Sequence, residues 1–132
     1  MKTDSAKAGK PTAGGQAPKQ KMVMPGFRED VQTMLDDMLA NRPDVRRGAM
    51  FGMPGYFTGR KMFVCCFDEG IGLKLPIGRV AELQANDVEI HPHAPGGRLM
   101  KEWVYIVRAD LDDFRGDQEL LDESIAFVSG AE

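Results

Sequence analysis

Cysteine, tryptophan and long apolar runs are scarce in this chain. It has two cysteines and one tryptophan in 132 residues, and two cysteines are too few for the disulfide framework of a small secreted domain. Cys65 and Cys66 are adjacent in the run KMFVCCF, which is typical of a strand, where neighbouring side chains point to opposite faces. We therefore predict two reduced, half-buried thiols.

No apolar run approaches the roughly 20 residues needed to span a bilayer. The N-terminus also lacks the apolar stretch of a secretory signal. We expect a soluble, cytoplasmic protein.

Residues 1–21 contain no aromatic and no branched aliphatic residue. They cannot bury enough apolar surface to offset the entropy of ordering, so we predict a disordered tail. The tail has five lysines and one aspartate, whereas residues 22–132 have 12 basic and 19 acidic residues. We expect one domain over residues 22–132, and its acidic balance disfavours binding to phosphate backbones.

Apolar periodicity predicts a helix over residues 25–43, with Glu29 and Asp30 in its first turn and Pro43 preventing its continuation. From residue 46 to residue 76, short apolar runs are separated by glycines. We predict an antiparallel meander here, with hairpin turns that require positive φ at Thr58-Gly59 and Glu69-Gly70.

The second half of the sequence predicts a short helix over residues 77–85 and a brief edge strand around Glu89-Ile90. It then predicts an interior strand that includes Trp103 and a final helix that ends at Gly130. The order is α, three or four β, a short α, one or two β, α. We predict a two-layer α+β fold, with N- and C-terminal helices flanking an antiparallel sheet.

The glycines at positions 52, 55 and 59, ahead of Arg60-Lys61, raise the question of a phosphate loop. Such a loop needs G-x-x-x-x-G-K-[ST] between a strand and a helix. Three residues separate the last two glycines, Met62 stands where Ser or Thr is required, and a strand pattern follows. We interpret these glycines as turn and close-packing positions.

His91 and His93 form one H-x-H in a proline-rich stretch. With Cys65 or Cys66 they could supply metal ligands or a nucleophilic pair, but strong metal motifs have defined pairs such as C-x-x-C. We interpret both histidines as exposed. The Asp-rich residues 110–117 do not match a calcium loop and predict a solvated turn. We assign no catalytic residue, metal or cofactor.

Six basic residues flank the predicted strands and form the candidate patch for an anionic partner if the meander gathers them. The alternative is that they are scattered and solvated. They are Arg46, Arg47, Arg60, Lys61, Arg98 and Lys101.

An ordered set of short motifs resembles the N-terminal domain of the TfoX/Sxy competence regulators, as many small stand-alone bacterial proteins do. The resemblance implies a YjbR-like α+β fold, often compared with secretion chaperones, with no established catalytic residues. We expect a stand-alone N-domain without the regulators' C-terminal helical domain. The motifs are Met50-Phe51-Gly52, Gly55, Phe57, Gly59, Met62-Phe63, Leu73-Lys74-Leu75-Pro76 and Gly97-Arg98-Leu99-Met100-Lys101-Glu102-Trp103-Val104.

These observations favour a non-enzymatic interaction or regulatory module that works through protein contacts, with a homodimer through sheet or helix faces as one form. The first alternative is a nucleic-acid-associated transcription or competence regulator that uses the basic tail and the arginine-lysine patch. The second is a small metal- or thiol-dependent enzyme.

Overall fold

The computed structural model describes residues 26–130. The predicted tail, residues 1–21, and Pro25 lie outside them. Two 3-10 turns, Pro95–Gly97 and Leu111–Asp117, accompany the regular elements. These are α1 (Glu29–Met38), β1 (Val45–Met50), β2 (Met53–Thr58), β3 (Lys61–Phe67), β4 (Gly70–Lys74), α2 (Ile77–Asn86), β5 (Ile90–Pro92), β6 (Trp103–Ile106) and α3 (Gln118–Ser129).

The strands form one antiparallel sheet in the order β1-β2-β3-β4-β6-β5. Four strands precede α2 and two follow it, within the predicted range. The α+β class, with an antiparallel sheet and helices at both ends, is confirmed. None of the helices in the described residues has the length and apolarity to cross a bilayer.

Strands β1 to β4 form a meander joined by two-residue turns. Met50 pairs with Met53, Thr58 with Lys61, and Phe67 with Gly70. The sequence correctly placed a positive φ at Gly59 (φ 63°), but the prediction for Glu69-Gly70 was wrong. Positive φ falls on Asp68 (φ 52°), because Gly70 is already the first residue of β4.

Strand β6 lies between β4 and β5, as its two apolar faces predicted. Ile71 pairs with Ile106 on one side of it, and Ile90 pairs with the same residue on the other. The predicted brief edge strand is β5. Because β5 pairs with β6 alone, this edge of the sheet depends on β6.

The helices cover one face of the sheet. Val31, Met34 and Leu35 of α1 are buried at the i, i+3, i+4 spacing that places them on one side of a helix. They join strand residues and the inner face of α3 in the main core. Two polar contacts fix the layers: the Ser124 hydroxyl donates to the Phe63 carbonyl (3.1 Å) and the Tyr56 hydroxyl donates to Asp36 (2.6 Å).

A partly buried ion cluster fixes the end of β6. Arg108 donates two hydrogen bonds to Asp117 (2.6 and 3.0 Å) and also contacts Asp87 (2.9 Å) and Glu89 (3.2 Å). Burial raises the pKa of Asp117, an effect that its hydrogen bonds from Arg108 oppose. This cluster connects β6, the α2–β5 connection and the 3-10 turn before α3, and the Asp-rich segment predicted as a solvated turn is that 3-10 turn.

Gly70→Ala tests how closely β4 and β6 approach. A Cβ at Gly70 would overlap the Ile106 carbonyl oxygen. Because this is a backbone atom, no change of side-chain rotamer can relieve the overlap. We expect the free energy of unfolding, measured by urea denaturation, to fall by about 1–3 kcal/mol. Gly78→Ala in α2 is the control, since nothing lies near its Cβ position. Equal stability of the two variants would contradict the close approach.

Candidate functional site

An apolar cleft of about 90 Å³ lies on the sheet face opposite the helices. A small buried cluster, separate from the main core, forms its inner part. Methionine is prominent in the lining, and its unbranched, polarizable side chain adapts to differently shaped contacts. The lining residues are Met50, Phe51, Met53, Met62, Cys65, Phe67, His93, Pro95, Met100 and Trp103.

Phe51 stands at the mouth of the cleft in an unfavourable conformation. It has φ 56°, occupies the β1–β2 turn with Gly52 (φ 80°), and leaves 77% of its surface exposed. A bulky residue in the left-handed region is an outlier, and such outliers cluster at functional sites. Met50 and Met100 beside it are also exposed, at 41% and 37%. The mouth of the cleft therefore presents apolar side chains to solvent.

His93 is buried in the wall of the cleft, with 3% of its surface exposed. Its ring lies 4.9 Å from Phe67 and 5.9 Å from Trp103, measured between centroids. Its Nδ1 is buried without a hydrogen-bond partner among the described residues. Burial lowers the pKa of His93 to about 4, so the imidazole is neutral at pH 7.

The prediction of two exposed histidines was therefore wrong for His93 and is confirmed for His91, which is exposed. The reason is that His93 directly follows β5 and packs over β4, where Gly72 has no side chain to keep the imidazole away. A glycine inside an apolar strand often marks such a close approach. Gly72 was therefore the signal in the sequence.

Cys65 and His93 pack against the same glycine. A Cβ at Gly72 would lie 3.0 Å from His93 Nε2 and 3.1 Å from Cys65 Sγ. Burial raises the pKa of Cys65 to about 11, against a smaller lowering by a hydrogen bond with the Gly72 backbone. A nucleophilic pair needs a thiolate, whereas both groups here are held neutral.

The two cysteines lie on opposite faces, as predicted. Cys66 belongs to the main core and Cys65 to the cleft cluster, and both are free thiols. Burial raises the pKa of Cys66 to about 12. Residues 26–130 contain no group of three His, Cys, Asp or Glu side chains arranged to hold a metal ion.

Basic side chains surround the cleft. Three more open grooves adjoin it through Trp103, and Lys61, Lys74, Arg98 and Lys101 line them. Lys74 lies 3.3 Å from Glu102 and 5.7 Å from the Trp103 ring centroid.

The six predicted patch residues are divided by the fold. Lys61, Arg98 and Lys101 lie beside the cleft, and Arg60 is exposed in the β2–β3 turn. Arg47 instead forms an ion pair with Asp36 (2.7 Å). Arg46 donates to the Gly59 carbonyl (3.0 Å) and lies 4.8 Å from the Phe57 ring centroid.

Comparison of the chain with family models, curated proteins and solved structures found no match. The resemblance to the TfoX N-terminal domain therefore stays a prediction. The geometry of the cleft is the basis for a functional proposal.

Phe51→Asn tests the strain at the mouth of the cleft. Asn-Gly is a favoured pair for a two-residue turn with positive φ at both positions, so the free energy of unfolding should rise by about 1 kcal/mol. Met50→Asn is the control, because it also removes an apolar side chain from the mouth but occupies a strand without positive φ. A gain in both variants, or in neither, would contradict a strained Phe51.

His93→Phe tests the burial of the neutral imidazole through the pH dependence of the free energy of unfolding. The unfolded chain binds a proton near pH 6.5 and the folded chain only near pH 4, so protonation favours unfolding. As pH falls through this window, the wild type should lose up to about 1.4 kcal/mol per unit from this group, and the variant should lack that loss. Urea denaturation at pH 8, where the imidazole is neutral in both states, gives the packing effect alone. Parallel pH profiles would refute the assignment.

Proposed function

We propose that the protein is a non-enzymatic interaction or regulatory module that binds a protein partner in the cleft on the open face of its sheet. The observation that carries this proposal is the exposed apolar mouth of the cleft, formed by Met50, Phe51 and Met100. Contiguous exposed apolar patches mark interaction sites on soluble proteins, whereas apolar side chains exposed singly are ordinary.

The energetics of the mouth support a binding role. Phe51 has a strained backbone and a largely exposed ring, so it contributes little to the stability of the isolated chain. In a complex the same ring would lose its contact with water. Aromatic side chains buried at the centre of an interface contribute most of the binding energy in many complexes.

The state of the polar groups supports binding rather than catalysis. Cys65 and His93 are adjacent, but burial disfavours the thiolate of the first and the imidazolium of the second. Two such neutral groups serve as parts of an apolar wall. The resemblance to the TfoX N-terminal domain, which implies no established catalytic residues, supports the same proposal and suggests a regulatory, cytoplasmic role.

Met100→Glu tests the cleft as the binding surface. A carboxylate at the mouth would have to be desolvated by an apolar partner, so partners recovered from native lysate by the wild type should be lost. Phe51→Asn should also lose them while being at least as stable as the wild type, which separates binding from folding. Recovered proteins are identified by mass spectrometry.

Val88→Glu is the matched control. Val88 is 91% exposed and lies on the connection between α2 and β5, outside the cleft lining, so this variant should keep the partners. Partners that Met100→Glu retains as well as Val88→Glu does would refute the cleft as the binding surface.

A further inference from the structure

The cleft is the most enclosed part of a longer apolar surface. Trp103 lines the cleft and each of the three grooves beside it. The surface continues past Met100 and Leu99 to Ile77 of α2, and Leu99 and Ile77 are 55% and 56% exposed. An extended segment can lie along such a surface and place one apolar side chain in the cleft.

The charge along this surface is positive although residues 22–132 are acidic in total. Lys61, Arg98 and Lys101 line the grooves, and none of them has a carboxylate within ion-pair distance among residues 26–130. Glu102 is the one carboxylate in the lining, and Lys74 already pairs with it.

Arginines elsewhere on the described surface already have carboxylate partners. Those at positions 28, 42, 47, 79, 108 and 115 each contact at least one carboxylate. Of the basic residues within 26–130 that have no carboxylate partner, Lys61, Arg98 and Lys101 lie beside the cleft, where they are available to a ligand, and Arg46 and Arg60 lie outside its lining.

Charge argues against two occupants that the chain itself could supply. Residues 1–21 carry five lysines and one aspartate, so they would bring positive charge to a positive surface. A second copy docked face to face would oppose the same basic residues. Like charges brought together in this way disfavour both arrangements.

The lining argues against a nucleic acid. Methionine, cysteine, phenylalanine and tryptophan side chains form the inner part of the cleft, and these groups suit an apolar side chain better than a phosphate backbone. The basic residues lie in the grooves around it and can contact acidic groups that flank such an anchor.

We propose, on the basis of the function proposed above, that the cleft recognises a linear acidic peptide segment in which a Phe or Leu anchor is flanked by Asp or Glu. The anchor fills the cleft beside Phe51 and Trp103. The flanking carboxylates contact Arg98, Lys101 and Lys61. Burial of the anchor supplies affinity, and the basic residues select the charge of the partner.

The probe is the blocked hexapeptide Glu-Asp-Phe-Leu-Asp-Glu, titrated into the full chain. Trp103, the single tryptophan, reports binding by fluorescence, since the peptide has none. The matched peptides carry Lys for each acidic residue, Gln for each acidic residue, or Ala for Phe and Leu. We expect the acidic anchored peptide to bind and each matched peptide to bind at least about tenfold more weakly.

The variants separate charge from stability. Arg98→Glu should weaken binding of the acidic peptide about three- to tenfold and should make binding more favourable for the lysine peptide. Arg60→Glu is the control, because it makes the same charge change in an exposed turn outside the cleft lining, and it should leave binding unchanged. Added salt should weaken binding of the acidic peptide.

Several outcomes would overturn this inference. They are equal binding of the acidic, glutamine and lysine peptides, no binding of any of them, and stronger quenching of Trp103 by a single-stranded oligonucleotide. A dimer seen by sedimentation that Met100→Glu dissociates would assign the surface to a second copy. In each of these cases the lysate experiment is read separately. If Met100→Glu still loses the partners that the wild type recovers, the proposed function stands and only the acidic-peptide chemistry is wrong.

Discussion

The pairing of β4 with β6 is the contact on which the rest of the structure depends. It joins the β1–β4 meander to the second half of the chain, because Ile71 to Lys74 pair with Trp103 to Ile106. Strand β4 needs glycine at two positions. Gly70 meets the Ile106 backbone, and Gly72 receives His93 and Cys65. Gly70 therefore allows β6 to pair closely with β4, and Gly72 leaves space for the wall of the cleft.

The fold was largely predictable from the sequence because its signals are local. The stripe of α1, the apolar runs of the meander and Gly130 after α3 each reflect neighbours within a few residues. The two faces of Cys65 and Cys66 followed from strand geometry in the same way. The burial of His93 depends on β4, about twenty residues away in the chain, so its local context of prolines indicated exposure. The positive φ at Asp68 was missed because Gly70 already pairs with Phe67, which leaves Asp68 and Glu69 as the two turn residues.

The cleft combines features that local patterns describe only separately. Phe51 comes from the β1–β2 turn, Met62 and Cys65 from β3, and Met100 and Trp103 from the segment that enters β6. Their meeting follows from strand order. The acidic composition of residues 22–132 likewise gave no indication of the basic surface beside the cleft. Most of the described arginines form ion pairs on other parts of the molecule, and most of the basic residues beside the cleft do not. Total charge disfavoured an anionic partner, whereas the local distribution favours one.

The place of β5 imposes an order on folding. Strand β5 precedes β6 in the chain but pairs only with it, at the edge of the sheet. It therefore has no pairing partner until β6 has been synthesised, and β5 joins the sheet only through the β4–β6 contact, which links segments about thirty residues apart and costs loop-closure entropy. During synthesis, β4 keeps an unpaired edge until residues 103–106 have left the ribosome. The nascent meander is thus a transient site for pairing with other chains, and docking of β6 removes it.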